Sequence, residues 1–157
     1  MKMLLMRDGK ADTVVEQFDM LTGLLGVDKF KMIFPVILTD NGSEFKHTRE
    51  LEANEDGKKR TKIFYCDPQA SWQKPKIEKN HEFIRYVLPK GKSLNPYTQE
   101  DMVLLMNNIN STRRELLNNK SPYEITDRKE ILEMMELLGL HQLPADEVNL
   151  TPDLLKK

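Results

Sequence analysis

Asp40, Asp67, Glu78 and Arg85 are the residues of this chain whose types and placement could support chemistry. Val36-Ile37-Leu38-Thr39 is a short apolar run that stops at Asp40 and is followed by Asn41-Gly42-Ser43-Glu44-Phe45. That pattern predicts a buried strand ending on a carboxylate. Strand ends in open α/β sheets join a rigid scaffold to a solvent-open edge, and the loop that follows can admit a substrate. Asp40 is therefore a candidate site residue. The same residues also fit a plain turn in which Asp40 and Ser43 hydrogen-bond the Asn41-Gly42 backbone. A second run, Lys62-Ile63-Phe64-Tyr65-Cys66, ends on Asp67 and Pro68, and the proline has no N–H to continue a ladder. A helix opening near Ile77 then puts Glu78, Glu82 and Arg85 on one face at i, i+4 and i+7, with Ile77, Ile84 and Leu88 for the packed side. Read alone, that face also fits a surface charge ladder.

These residues need elements to hold them. Met1 to Met6 reads as a short strand, left through the turn Arg7-Asp8-Gly9-Lys10. Its apolar edge would be unprotected, which predicts association or disorder at this end. Thr13 and Glu16 have capping-box spacing, and Val14, Phe18, Leu21 and Leu25 recur at helical spacing until Gly26 offers a stop. Phe30 to Phe34 leads through Pro35 into the strand that carries Asp40. The order strand, helix, strand is that of a parallel α/β sheet. The charged stretch from Glu50 to Arg60, with a turn at Asp56-Gly57, reads as a solvated loop, and Ser71 to Lys76 as another loop. Thr98 with Asp101 caps a helix on which Met102, Leu105, Met106, Ile109 and Leu116 recur. Asn107, Asn108 and Asn110 with Arg113 and Arg114 read as a polar surface, with a DNA backbone as its candidate partner. Ser121-Pro122 signals a short helix, Arg128 to Leu138 a further amphipathic one ending at Gly139, and the chain beyond Leu143-Pro144 an extended arm.

Composition narrows the class. At 157 residues with 39% apolar and 31% charged residues, the chain can bury a proper core. No apolar run approaches the roughly 18 residues that span a bilayer, and Met1 to Met6 is too short for a signal peptide's apolar region. The reading is cytoplasmic, without a membrane partner. The lone Cys66 excludes an internal disulfide, and His47, His81 and His141 are scattered, so none is assigned to a metal. A net charge of −1 gives no bulk sign of nucleic-acid binding, so such a role would need a local basic patch.

Taken together, Thr39-Asp40-Asn41-Gly42-Ser43-Glu44-Phe45, Tyr65-Cys66-Asp67-Pro68, Trp72-Gln73-Lys74, Glu78, and Arg85 with Leu88-Pro89-Lys90-Gly91 resemble, in order and spacing, the integrase catalytic core of bacterial insertion-sequence transposases. Asn107-Asn108-Ile109-Asn110, Lys120-Ser121-Pro122-Tyr123-Glu124 and the tail Asp153-Leu154-Leu155-Lys156-Lys157 are similar to the same group. The resemblance implies an α/β, RNase H-like fold with a mixed sheet flanked by helices. Residues 1–125 would form a partial catalytic core and residues 126–157 a carboxy-terminal helix and tail.

The resemblance further implies an Asp, Asp, Glu triad holding Mg²⁺ or Mn²⁺ for DNA cleavage and strand transfer. Hard divalent ions take oxygen ligands, and a metal pair activates the attacking oxygen of a phosphoryl displacement and stabilises the leaving one. Carried over by position, Asp40 is the second acid and Glu78 the third, both as catalytic metal ligands. Arg85 falls on a phosphate-binding position, Lys79 could also hold phosphate, Asn41 and Gly42 shape the loop beside Asp40, and Trp72 fixes the segment leading to Glu78. The first acid and the family's helix-turn-helix region are expected upstream of Met1; Asp8 and Asp12 lie after the first strand and are not given that role. Pro75 and Lys79 stand where the family has Gly and Asn, so a fixed φ and an added cation are expected next to Glu78. The implied partners are DNA, as element ends and target, and further copies of the chain or a full-length transposase. Two functions follow: a metal-dependent transposase core, or a non-catalytic remnant that binds DNA or a full-length partner. An RNase H-like nuclease acting on RNA is a third, which leaves the carboxy-terminal likeness unexplained.

Overall fold

The structure is a computed structural model that describes residues 1–67 and 75–155, the side chains of residues 75–78 excepted. Pro68, Trp72, Gln73 and Lys74 of the sequence pattern thus lie outside the described residues, as does the loop assigned to Ser71 to Lys76 up to the start of its helix. The elements are α1 (Ala11–Leu25), α2 (Val27–Ile33), β1 (Val36–Thr39), α3 (Thr48–Glu52), β2 (Lys62–Tyr65), α4 (Pro75–Val87), α5 (Gln99–Ser111) and α6 (Lys129–Leu137). The fold class is mixed α/β, and the sheet has two parallel strands among the described residues. The chain forms two compact units: one runs from Met6 through β2, the other joins Met1–Leu5 to everything from α4 onward.

In the first unit the helical spacing of α1 does what it predicts. Val14, Leu21 and Leu25 are buried, Phe18 packs beside them, and the Gly26 N–H closes the helix on the Thr22 carbonyl at 2.8 Å with φ +77°. The expected Thr13/Glu16 capping box is absent, because the helix begins at Ala11 with Lys10 as its N-cap, which puts Thr13 inside the first turn. The Thr13 hydroxyl donates to Asp8 and Glu16 pairs with Arg7 at 2.7 Å. Much of the segment after Gly26 is helical, as α2, before Pro35 leads into β1.

The strands pair in register, Ile37 with Ile63 and Leu38 with Phe64. Side chains alternate faces along a strand, so one face carries Ile37 and Ile63 onto Val14, Leu51 and Phe18. The other carries Val36, Leu38 and Phe64, which are 56%, 42% and 51% exposed. β1 is therefore covered on one face only, not the fully buried strand that its apolar run suggests. Periodicity alone does not separate these two cases.

The charged stretch from Glu50 to Arg60 is exposed from Glu55 to Lys59, as a solvated loop would be, but its ends are structured. It contains α3, an antiparallel bridge between Ala53 and Lys59 around the Gly57 turn, and a fully buried Arg60. The Arg60 guanidinium donates to Asp19 at 2.6 Å, to Thr22 at 2.9 Å and to the carbonyls of Leu51 and Glu50, and lies 5.5 and 5.9 Å from the ring centroids of Phe18 and Phe30. A buried charge persists only where its donors are met in this way.

In the second unit the capping box of Thr98 and Asp101 is present, and Met102, Leu105, Met106 and Ile109 are buried along α5. Four expectations fail here. Met1–Leu5 is not a strand. Its backbone is held by side chains of α5: the Met3 N–H on Met106 Sδ, the Leu5 N–H on Gln99 Oε1, and the Met1 carbonyl on Asn110 Nδ2. Nor do Asn107, Asn108 and Asn110 form a polar surface, since all are at most 2% exposed. Asn107 Oδ1 accepts from the Tyr123 hydroxyl and the His141 N–H, and Asn108 Oδ1 accepts from the Asn149 N–H. The carboxy-terminal stretch is not a free arm. Leu155 is buried with Val87, Leu105 and Ile109. Ser121 and Glu124 do exchange hydrogen bonds, but they close a turn rather than a helix. The last helix, α6, ends at Gly139 with φ +69°, as its sequence predicts.

Candidate functional site

Asp40 follows the last residue of β1 and is exposed. Its position is fixed from beneath by the ladder, in which the Cys66 N–H donates to the Thr39 carbonyl at 2.7 Å. Since Thr39 pairs with Tyr65 in a parallel sheet, Asp40 and Asp67 leave the same end of two neighbouring strands. Two acids at one sheet end thus come from the register alone.

The loop after Asp40 is tied down by Tyr65. Its hydroxyl donates to the Phe45 carbonyl at 2.6 Å and accepts from Thr48, so the end of β2 holds both the turn at Ser43–Phe45 and the start of α3. Gly42 has φ −68°, so a left-handed backbone is not the reason for a glycine here. A Cβ at Gly42 would lie 2.5 to 2.8 Å from the Glu44 carboxyl group, a contact that the flexible Glu44 side chain can relieve by turning away. Glu44 folds back beside Gly42, adding a carboxylate to the loop that follows Asp40. The sequence reading named it only as part of the motif. Asn41 is exposed in the same loop.

The other predicted residues lie on α4, in the second unit. Glu78 is in its first turns, with its side chain outside the described residues, and Arg85 is exposed in the last turn. Pro75 begins the helix, a position at which its missing N–H and fixed φ suit a helix start. Lys79 donates to Glu82 at 2.6 Å and lies 5.7 Å from the Phe83 ring centroid. The hydrogen bond that Lys79 donates to Glu82, and the charge of that carboxylate, raise the Lys79 pKa, so this cation is held by a neighbour on its own helix. Ile84 and Leu88 pack inward as the spacing predicts.

Arg114, a surface cation by its sequence, is part of the support of α4. Its guanidinium lies 4.8 Å from the Phe83 ring centroid and reaches Asn80 Oδ1 at 3.3 Å and the Ile109 carbonyl at 3.4 Å. Loss of solvent lowers its pKa. It is a positioning residue for α4, and only its place after α5 hints at that. Among the described residues no group of three or more His, Cys, Asp or Glu is placed to hold a metal ion. No described helix is long and apolar enough to cross a membrane.

Comparison with known proteins finds likenesses over part of the chain. The chain is 31% identical to a transposase for insertion sequence element IS1086 from Cupriavidus metallidurans over 86 residues, 55% of this chain and 24% of that protein. It is 37% identical to transposase InsI for insertion sequence element IS30A of Escherichia coli over 67 residues, 43% of this chain and 18% of that one. A transposase for insertion sequence element IS4351 of Bacteroides fragilis is 30% identical over 96 residues, 61% of this chain and 28% of the relative. Over these stretches the chain is similar to insertion-sequence transposases, and it spans about a quarter or less of the length of the curated relatives it matches. No family model matches it, and no solved structure does.

Proposed function

We propose that this chain is part of the catalytic core of a DNA transposase of the Asp, Asp, Glu class, with an RNase H-like fold, acting in an assembly with further copies or a longer transposase. The observation that carries the reading is the exposed Asp40 at the end of β1, beside the end of β2, in a chain similar over part of its length to transposases. The donors fit a hard divalent cation in kind: Asp40 and Asp67 are exposed carboxylates at one sheet end. Asp40 and Glu78 would hold Mg²⁺ or Mn²⁺, which when bound supplies charge stabilisation to the attacking and leaving oxygens of a phosphoryl displacement.

The chain's own residues do the rest. Arg85 binds a phosphate on the face of α4 that carries Glu78, and Asn41 hydrogen-bonds DNA beside Asp40. Arg114 holds α4 in place through Asn80 and Phe83. Lys79 reaches phosphate only after leaving Glu82, which makes the pair a brake on binding. Glu82→Gln is accordingly expected to tighten binding of a labelled duplex a few-fold at low salt, by removing an anion and releasing an ammonium. Fluorescence anisotropy at two KCl concentrations reads this, and unchanged affinity at both would remove Lys79 from the interface.

Nicking of a supercoiled plasmid in Mg²⁺ or Mn²⁺, with Asp40→Asn as the control, tests the function. Metal-dependent nicking that the substitution abolishes supports it, and nicking unaffected by the substitution contradicts the site. Duplex binding without nicking by the unaltered chain would favour a non-catalytic DNA-binding role.

A further inference from the structure

The turn after α5 departs from the helical pattern in a way that the proposed metal site does not use. Leu116 is predicted by periodicity to continue the buried stripe of α5, yet α5 ends at Ser111 and Leu116 is 92% exposed. It sits on a tightly closed loop. Arg114 and Lys120 form an antiparallel bridge, with the Arg114 N–H on the Lys120 carbonyl at 3.1 Å. Inside it the Leu117 and Asn119 N–H groups both donate to the Arg114 carbonyl, and the Lys120 N–H to that of Leu117. Asn118 and Asn119 have φ of 53° and 58°, a left-handed backbone that asparagine tolerates better than most residues. An apolar side chain is thus held out on a fixed support.

The flanks are cationic. Arg113, Arg114 and Lys120 stand against the single anion Glu115 within the loop, although Arg113 also lies 3.4 Å from Glu124. Arg114 turns toward Asn80 and Phe83, while Arg113 and Lys120, before and after Leu116 in sequence, are exposed, and Arg113 reaches a phosphate only after releasing Glu124. One leucine is far too small for a stable protein interface, which buries about 800 Å² per partner. It is enough for an apolar wedge at a base-pair step, where one inserted side chain partly unstacks the duplex. The two cations match the phosphates that flank such a step.

We propose that this loop is a duplex-DNA contact, with Leu116 wedged at a base-pair step from the minor groove and Arg113 and Lys120 on the neighbouring phosphates. The inference rests on the DNA-acting reading above and adds to it a site that distorts the duplex. The test uses the full chain and a duplex of about 30 base pairs, a usual length for a bent site, with 2-aminopurine at a central TA step. Binding of the unaltered chain is expected to raise the 2-aminopurine fluorescence. Leu116→Ala is expected to lose most of that rise and to bind about tenfold more weakly, the share of one buried leucine, while its melting temperature stays unchanged. Leu116→Met restores both signals. Fluorescence and affinity unchanged in Leu116→Ala would overturn the wedge and leave the transposase reading standing. Failure of the unaltered chain to bind any duplex would overturn both. If Leu116→Ala instead breaks up a self-associated species in sedimentation while duplex binding is unchanged, the occupant is a second copy of the chain and the proposal fails.

Discussion

Arg60→Ala is expected to destabilise the unit that carries Asp40 by about 3 to 5 kcal/mol, the usual cost of removing one partner from a buried charge network. The side chain is fully buried and is the only group that joins Asp19 and Thr22 of α1 to the carbonyls of Glu50 and Leu51 among the described contacts. Its loss leaves two carbonyls without that donor and opens a void against the rings of Phe18 and Phe30. Asp19, whose side chain is 34% exposed, can rehydrate once Arg60 is gone, whereas Asp19→Asn leaves the fully buried guanidinium without the one carboxylate among its described partners and should also cost about 3 kcal/mol. Urea titration followed by amide exchange in α1 and β2 reads both effects. A denaturation midpoint left unchanged by Arg60→Ala would show that the network contributes nothing.

The second large effect concerns the proposed metal ligands. Asp40→Asn and Glu78→Gln should each lower metal-dependent nicking about a thousandfold, because a bound metal contributes several kcal/mol to the transition state. The double substitution should be scarcely worse than either alone, since groups that act as one unit are not additive. Additive losses in the double variant would mean that the two acids serve separate steps. Melting curves should move little for Asp40→Asn, whose side chain is exposed at a strand end.

Much of the scaffold was legible because its causes are local. The apolar spacing of Val14, Leu21 and Leu25, the capping box of Thr98 and Asp101, and the Gly26 and Gly139 stops each depend on residues within a few positions of one another. The strand end at Asp40 was legible for the same reason. What could not be read were partners supplied from far along the chain. Arg60 lies in a charged run, and its burial depends on Asp19 and Thr22, 41 and 38 positions away. Met1–Leu5 has a strand's composition, yet its backbone partners are the side chains of Gln99, Met106 and Asn110 on a helix. The asparagines of α5 looked like surface for the same reason: their partners Tyr123, His141 and Asn149 belong to later segments. Leu116 failed differently. Its spacing was right, but α5 had already ended at Ser111, and periodicity carries no stop signal of its own.

Mn²⁺ binding followed by electron paramagnetic resonance tests the proposed sharing of one divalent metal by Asp40 and Glu78. Titration of the chain with Mn²⁺ in the presence of duplex DNA is expected to show bound metal, displaced by excess Mg²⁺. Asp40→Asn and Glu78→Gln should each remove most of that bound signal while Lys79→Ala leaves it. Bound Mn²⁺ that survives both acid substitutions would contradict the account.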